Sequence, residues 1–514
     1  MTSGLRLSEE NRRWWTLAAM CFALAMVMLD NTVVNVALPS IQRSFDASLS
    51  SLEWTINAYT LTFAVLLVTG GRLGDIFGRR KVFLIGVVIF AVASATIGIA
   101  PSEGFLVAFR AVQGVGAALM MPATLSIITN AFPPQERGRA IGTWAGVSAI
   151  ALALGPLLGG WLTEDVTWRA IFFLNVPVAI VAIFVTLFAA HESRDETASR
   201  KVDYAGIVTL TVGLTALVLA LVEGNSWGWG SPAIIALLAA SVGGLATFVA
   251  IERTTDAPIV DFNFFRSRSF LGANIVAFFI SFGMFAVFFF LALYMQNILG
   301  YGPLQTGVRF LPTTLVIMVA GPIAGRLSDR VGPRTPLTAG LLLVALSLAW
   351  QSRITVDTSF GFLVVPFILL GVGMGFTMSP MSTAAMNAVD RTKAGVASGT
   401  LSMTRMVGGT FGVAALGALV AAIGRHDLAK SLPSVPHDTR EKLVEALGGR
   451  LPDATAQVRD ASQQAFVDAL GTGLTIAAFA LLAAALVAWL MVNPKRPDAE
   501  VPVEVEVLPE ATPV

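Results

Sequence analysis

Three charged side chains stand where charge is costly. Asp30, Arg110 and Arg405 each lie well inside a long apolar run. At the centre of a membrane helix each costs roughly 2.5–3.5 kcal/mol on insertion scales, so each needs a partner or a water-filled cavity. At 1.5 Å per residue, Asp30 lies about 12 Å from one end of its run, and Arg110 about 9 Å from the matching end of an oppositely directed run. Residues at similar depth can pair. A buried carboxylate whose surroundings change can take up and release a proton, which proton coupling requires. The alternative is a static ion pair that holds two helices together. Arg405 has no sequence partner, and its residue type fits a structural pair or a cavity equally; with Arg309 it could instead favour an anionic or zwitterionic substrate.

Other chemistry is poorly served. The one cysteine, Cys21, excludes an intrachain disulfide, and His191, His426 and His437 fall in polar stretches. A metal site, a histidine relay within the apolar runs and an intramembrane hydrolase are therefore disfavoured. No GxxxxGK[ST] loop occurs, so nothing points to ATP. No cofactor is expected, and the coupling ion would be H+.

These residues are positioned by the runs themselves. Of 514 residues, 55% are hydrophobic and 13% charged, against about 25% charged in an ordinary globular chain. The mean hydropathy is +0.74. A chain of this composition is a polytopic membrane protein. The net charge of +1 gives no reason to expect a nucleic-acid partner. Runs long enough to cross about 30 Å of hydrocarbon fall at 14–38, 53–72, 82–100, 104–128, 138–162, 169–190, 204–223, 232–251, 270–298, 304–325, 336–353, 360–386, 396–423 and 466–492. The first is too long, and too interrupted by Asp30, for a cleaved signal peptide. Lys and Arg concentrate on the side that carries the N-terminus. Both termini are thus expected in the cytoplasm. Arg heavily outnumbers Lys, which suggests a bacterial cell membrane.

The chain repeats. Gly71-Arg-Leu-Gly-Asp-Ile-Phe-Gly-Arg-Arg80 returns as Gly325-Arg-Leu-Ser-Asp-Arg-Val-Gly-Pro-Arg334, and Gly114-Val-Gly returns as Gly371-Val-Gly. Spans 9–14 therefore correspond to spans 1–6, with spans 7 and 8 inserted. The expected organisation is a tail (1–13), a six-helix bundle (14–190), an inserted pair with linkers (191–269), a second six-helix bundle (270–492) containing a polar outer loop (424–465), and a disordered tail (493–514). Two facing bundles suggest a cavity between them and rocking between two open states. The repeat places Phe367 where Arg110 would be, so the charged machinery belongs to one half only.

In the 71–81 loop, Gly71 and Gly78 permit a tight turn and close helix approach. Asp75 is expected near the start of span 3, suited to the helix dipole and able to pair with Arg79 or Arg80. Asp329 is its counterpart in the second copy. Such a cluster could latch one end shut, beyond the part the basic residues play in topology. In span 5, Gly146, Gly155, Pro156, Gly159 and Gly160 form a packing interface that could bend.

Taken together, these motifs resemble the major facilitator superfamily, and within it the fourteen-span drug:proton antiporter family. The resemblance is carried by Leu29-Asp-Asn-Thr-Val-Val-Asn-Val-Ala-Leu-Pro39, the 71–81 loop, Arg110-Ala-Val-Gln-Gly-Val-Gly116, Gly155-Pro-Leu-Leu-Gly-Gly160 and Trp168-Arg-Ala-Ile-Phe-Phe-Leu-Asn-Val-Pro177. It covers the whole chain apart from the tails and the 424–465 loop. It implies an all-α major facilitator fold of fourteen transmembrane helices, two six-helix bundles plus an inserted pair, and no enzyme. It also implies proton coupling at Asp30 and Arg110, a cytoplasmic gate at Asp75, Arg79 and Arg80, and an exporter's hinge in span 5. The expected activity is multidrug efflux: export of lipophilic compounds, organic cations first, against protons, by a monomer in a lipid membrane. An exporter dedicated to one endogenous metabolite and a proton-coupled importer are the alternatives. One departure stands out. Where some relatives carry a cavity acid in span 2, this chain has Asn57, and span 10 has none. Dicationic substrates are therefore disfavoured. Glu53 and Glu223 lie near outer span ends, where a charge in water is expected. Candidate substrate contacts are Asp30, Trp54, Asn57, Tyr59, Trp144, Phe285, Tyr294 and Arg405, with aromatic rings available to stack on a lipophilic cation.

Overall fold

The computed structural model describes residues 8–45, 49–194, 203–255, 260, 262–390, 393–445, 447 and 455–494. Over these the chain is helical: α1 (Glu9–Phe45), α2 (Leu49–Phe77), α3 (Arg79–Gly98), α4 (Glu103–Ala131), α5 (Pro134–Asp165), α6 (Ala170–Phe173), α7 (Asn175–Ala189), α8 (Tyr204–Trp227), α9 (Pro232–Glu252), α10 (Arg268–Leu293), α11 (Pro303–Val331), α12 (Arg334–Gln351), α13 (Phe360–Asn387), α14 (Ala394–Ser431), α15 (His437–Glu445) and α16 (Ala456–Met491). Thirteen stretches are long and apolar enough to cross a membrane, α6 and α7 counting as one. The remaining predicted span, 336–353, is α12, whose 18 residues begin at Arg334 and end at Gln351.

The helix starts follow from local chemistry. Ser102, Asp203, Ser231, Ser267 and Thr455 each accept a hydrogen bond from a first-turn backbone N–H, as N-cap residues do. Gly78 and Gly332, the same position of the repeated loop, take φ of 107° and 85°. Only glycine holds that conformation without strain, which fixes the sharp turns after α2 and α11. Span 6 breaks between α6 and α7. Pro177 lacks an amide proton, and its ring crowds the carbonyl four residues earlier. The break sets Asn175 at the first position of α7.

The first half (α1–α7) and the second (α10–α16) share one plan. α2 packs on α4 as α11 packs on α13, and α1 on α5 as α10 on α14. The halves meet along two seams, α5 against α11 and α2 against α14. Both seams close at the end of the bundle where α1 begins, called the near end below. There a Cβ on Gly395 would strike the Gly71 carbonyl, and one on Gly325 the Gly138 carbonyl. Only glycine lets the backbones approach so closely. The inserted α8 rests on α2 and α14, and α9 packs chiefly on α8. Large apolar side chains such as Phe184, Phe188, Val242 and Phe479 cover the outside, the surface expected of a multi-pass membrane protein.

Two expectations change. The polar 424–465 segment, expected as a solvated connector with helix possible over 438–447, carries α15 there, and beyond that expectation α14 runs on to Ser431 and α16 begins at Ala456. Leu428, Leu432, Val444 and Ala465 form a small core there, and Arg425 Nε pairs with Glu441 at 3.1 Å. Hydropathy stops where helices leave the hydrocarbon, but the helices do not. Glu223 is buried rather than held in water, at 6% exposure. The tails at 1–7 and 495–514 lie outside the described residues.

Candidate functional site

Asp30 of α1 and Arg110 of α4 form an ion pair, Nη1 to Oδ2 at 2.6 Å, with both side chains 1% exposed. The pair is the centre of a larger network. Gln113 Nε2 donates to Asp30 Oδ1 at 2.9 Å and Asn175 Nδ2 to the same oxygen at 3.3 Å. Arg110 Nη1 also donates to Gln113 Oε1 at 2.7 Å, and its Nε to the Thr55 carbonyl at 3.0 Å. Its guanidinium stacks on the Tyr59 ring, 4.3 Å from the centroid. Asn175 Nδ2 donates to Ser94 Oγ at 2.9 Å, and Ser94 Oγ donates to the Phe172 carbonyl. Helices α4 and α7 thus donate to one carboxylate of α1, and α2, α3 and α6 join the network through Arg110 and Ser94. Arg110, Gln113 and Asn175 all donate to Asp30, so this geometry suits the ionised form. A protonated Asp30 would have to donate, and the network would rearrange.

Sequence reading missed Gln113, Asn175 and Ser94. The signals were present: Gln113 is three residues after Arg110, on the same helix face, and Asn175 is a lone amide in an apolar run. Asn175→Leu removes a hydrogen bond to a charged group, so a loss of about 2 kcal/mol of stability is expected. Thermal unfolding in detergent measures it. In an Asp30→Asn background the loss should shrink. An equal loss in both backgrounds would show that Asn175 acts through packing alone.

The second cluster lies at the near end. Asp75 is fully buried and sits in the last turn of α2. Arg79 donates to its Oδ1 from Nε and Nη2, at 2.9 and 2.7 Å. The amides of Gly395 and Val396 donate at 3.0 and 2.8 Å. This corrects one sequence expectation. The helix start that Asp75 serves is that of α14 in the opposite half, not that of α3. Glu192 occupies the α3 start instead, accepting from the amides of Arg80 and Lys81 at 3.0 and 3.1 Å. The second copy does the same in mirror fashion: Asp329 of α11 accepts from the amides of Gly138 and Arg139, at 3.0 and 3.2 Å, at the start of α5. Both carboxylates thus bridge the halves. Their helix starts attract anions through unpaired N–H groups and the helix dipole. One difference between the copies bears on this bridge. Pro333 stands where Arg79 does, so Asp329 lacks the arginine that follows the turn in the first copy. Arg80 stays within its own half, its Nη2 donating to the Leu187 carbonyl at 2.9 Å.

In span 5, α5 is one continuous helix. Gly155 and Gly159 face Thr32 and Val33 of α1, and Gly146 faces the backbone of Met318 on α11. Gly160 has open space where a Cβ would lie. The side chain of Pro156 lies outside the described residues, as does that of Asn57.

The aromatic candidates divide. Tyr59 is 1% exposed, beneath Arg110. Trp144 is buried, and its Nε1 has no partner among the described residues. Trp54 is half-buried. Phe285 is 42% exposed, its ring over Gly409. Tyr294 does not fit a substrate contact. It is fully buried, and its hydroxyl donates to the Thr355 carbonyl at 2.5 Å, tying the end of α10 to the loop before α13.

Two helical halves joined by mirrored seams, with a charged network inside only one of them, define a membrane transporter rather than an enzyme. The sequence profile of the Major Facilitator Superfamily matches residues 20–413, and the chain belongs to that family. It is 36% identical to the "Tetracenomycin C resistance and export protein" of Streptomyces glaucescens, over 98% of this chain and 95% of that protein. It is 34% identical to the "Multidrug resistance protein Stp" of Mycobacterium tuberculosis, over 92% of this chain and 91% of that one. Among solved structures it resembles the proton:xylose symporter XylE, with a TM-score of 0.64 at 13% identity, over 95% of this chain and 98% of that chain.

Proposed function

We propose that this protein exports lipophilic small molecules across the plasma membrane in exchange for protons, by alternating access between bundles 14–190 and 270–492. The near end is then the cytoplasmic one, since Lys and Arg concentrate on the side of the N-terminus, and both termini lie there. The protein works as a monomer. Asp30 and Arg110 carry the proton coupling, and Asp75, Arg79, Asp329 and Gly71 with Gly78 form the cytoplasmic gate. The observation that carries this reading is the buried Asp30–Arg110 pair with its ring of donors.

The network suits the task. A proton arriving from outside neutralises Asp30, removes the charge that compensates Arg110, and reverses the hydrogen-bond polarity at one carboxylate. That gives the two bundle arrangements different energies in the two protonation states, as coupling requires. Each proton supplies about 2.3 kcal/mol per 100 mV of membrane potential, and about 1.4 kcal/mol per pH unit. The names of the resistance and export relatives support the outward direction and a drug-like substrate. The carboxylate expected to attract an organic cation is already committed to Arg110.

Proteoliposomes offered mono- and dicationic dyes, with and without an imposed pH gradient, test this reading. Substrate should move opposite to the proton flow. Movement in the same direction would make the protein an importer, and movement indifferent to the gradient would remove the proton from the mechanism.

A further inference from the structure

Arg405 is the third charge within the apolar runs, and unlike Arg110 it is unmatched. It makes no hydrogen bond or ion pair with any described residue, and its Nε is sealed from solvent without a partner. The side chain as a whole is only half-buried, in a stretch of α14 where residues 402–407 are all partly exposed after the wholly buried 394–401. Those buried residues belong to the near-end closure, where Gly395 meets Gly71 and Gly399 meets Leu67. From Gly395 to Arg405 is ten residues, about 15 Å of helix, or half of an approximately 30 Å hydrocarbon core. A guanidinium with five N–H donors therefore stands about half a membrane's thickness beyond the closed end, with no partner among the described residues. The repeat underlines the asymmetry. Gly138 and Gly395 are equivalent through their bonds to Asp329 and Asp75, so the counterpart of Arg405 on α5 is Ser148.

The surroundings are aromatic. One turn further, on the same strip of α14, Gly409 is covered by the ring of Phe285 from α10. That ring is 42% exposed. A partly exposed cation and an exposed ring thus follow one another along a single strip.

The geometry points to Arg405 as the anchor for an anionic group on the transported molecule. It assigns the substrate class as lipophilic organic acids: a carboxylate, enolate or phenolate on a ring-rich body. The guanidinium fork matches two oxygens of a carboxylate, and Phe285 offers the face for the body. This deepens the export reading above and rests on it for the direction of transport. It also has an electrical consequence. Whatever the number of protons exchanged, export of a monoanion moves two more charges per turnover than export of a monocation. An inside-negative potential therefore favours the acid.

The test uses two probes of one shape, 2-naphthoate and 2-naphthylmethylammonium, with purified full-length protein. Tryptophan quenching measures binding, and proteoliposomes with a potassium diffusion potential measure transport. Arg405→Gln should weaken naphthoate binding at least tenfold, and Arg405→Lys should weaken it less. The ammonium probe should bind Arg405→Lys as it binds wild type and Arg405→Gln at least as tightly, which also shows that the variants are folded. Naphthoate export should respond to the potential more steeply than ammonium export. The proposal fails if wild type does not bind naphthoate, if Arg405→Gln leaves that binding intact or weakens both probes equally, or if the two probes respond equally to potential. Should naphthoate binding depend on Arg405 while a pH gradient drives neither probe, the anion site stands and the proton-coupled reading falls.

Discussion

Asp30→Asn is expected to abolish pH-driven export, by at least a hundredfold, while leaving exchange of substrate without a gradient in place. The substituted amide cannot change charge, so the network loses the one group whose protonation would alter it. A second effect follows from burial. Arg110 is 1% exposed, and removing its counter-charge strands a cation in the protein interior. Breaking such a pair costs about 3–5 kcal/mol. The variant should therefore be less stable as well as uncoupled, and the two effects can be separated. Asp30→Asn combined with Arg110→Gln restores neutrality. The double variant should recover much of the stability in thermal unfolding, yet none of the pH-driven transport in vesicles. Export at the wild-type rate by either variant would refute proton coupling at this carboxylate.

The second large effect is expected at the near end. Asp75→Asn keeps the shape of the side chain but not its charge. It can accept one backbone amide at most where Asp75 accepts two, and it leaves Arg79 uncompensated. Losing hydrogen bonds to a charged group at about 1.5–3 kcal/mol each should shift the equilibrium away from near-end closure by roughly a hundredfold. Ser379 reports on it. Its hydroxyl crosses the seam to the Gly138 carbonyl at 3.1 Å and it is fully buried. With Cys21 replaced by alanine, Ser379→Cys gives a single thiol that a membrane-impermeant maleimide reaches only when the near end opens. Asp75→Asn should speed that labelling in inside-out vesicles. Asp329→Asn should do so less, because Asp329 bridges the halves without an arginine of its own. Equal and unchanged labelling rates in both variants would show that these carboxylates decorate the closure without holding it.

The sequence by itself determined the class of fold and the location of most of the chemistry. Apolar runs of fixed length admit one backbone solution in a bilayer, the helix, because hydrocarbon offers no partner to an open N–H or C=O. An isolated charge within such a run is costly enough to mark itself, as Asp30, Arg110 and Arg405 do. Repetition is visible as letters, so the plan of two halves was legible before any coordinate. Partnership was not. Asp75 stands four residues before Arg79, and that bond could be read from nearness in the chain, but its bonds to Gly395 and Val396 span more than three hundred positions. Gln113 and Asn175 stand out as amides in apolar runs, but a neutral amide does not reveal its partner until folding sets it against a carboxylate. Tyr294 and Phe285 read alike as aromatics on one span. Only packing made the first a buried strut and the second an exposed ring beside Gly409. Composition and spacing record what each residue requires of its surroundings. Which neighbour meets the requirement, and that Arg405 is left without one among the described residues, is decided by how the helices pack.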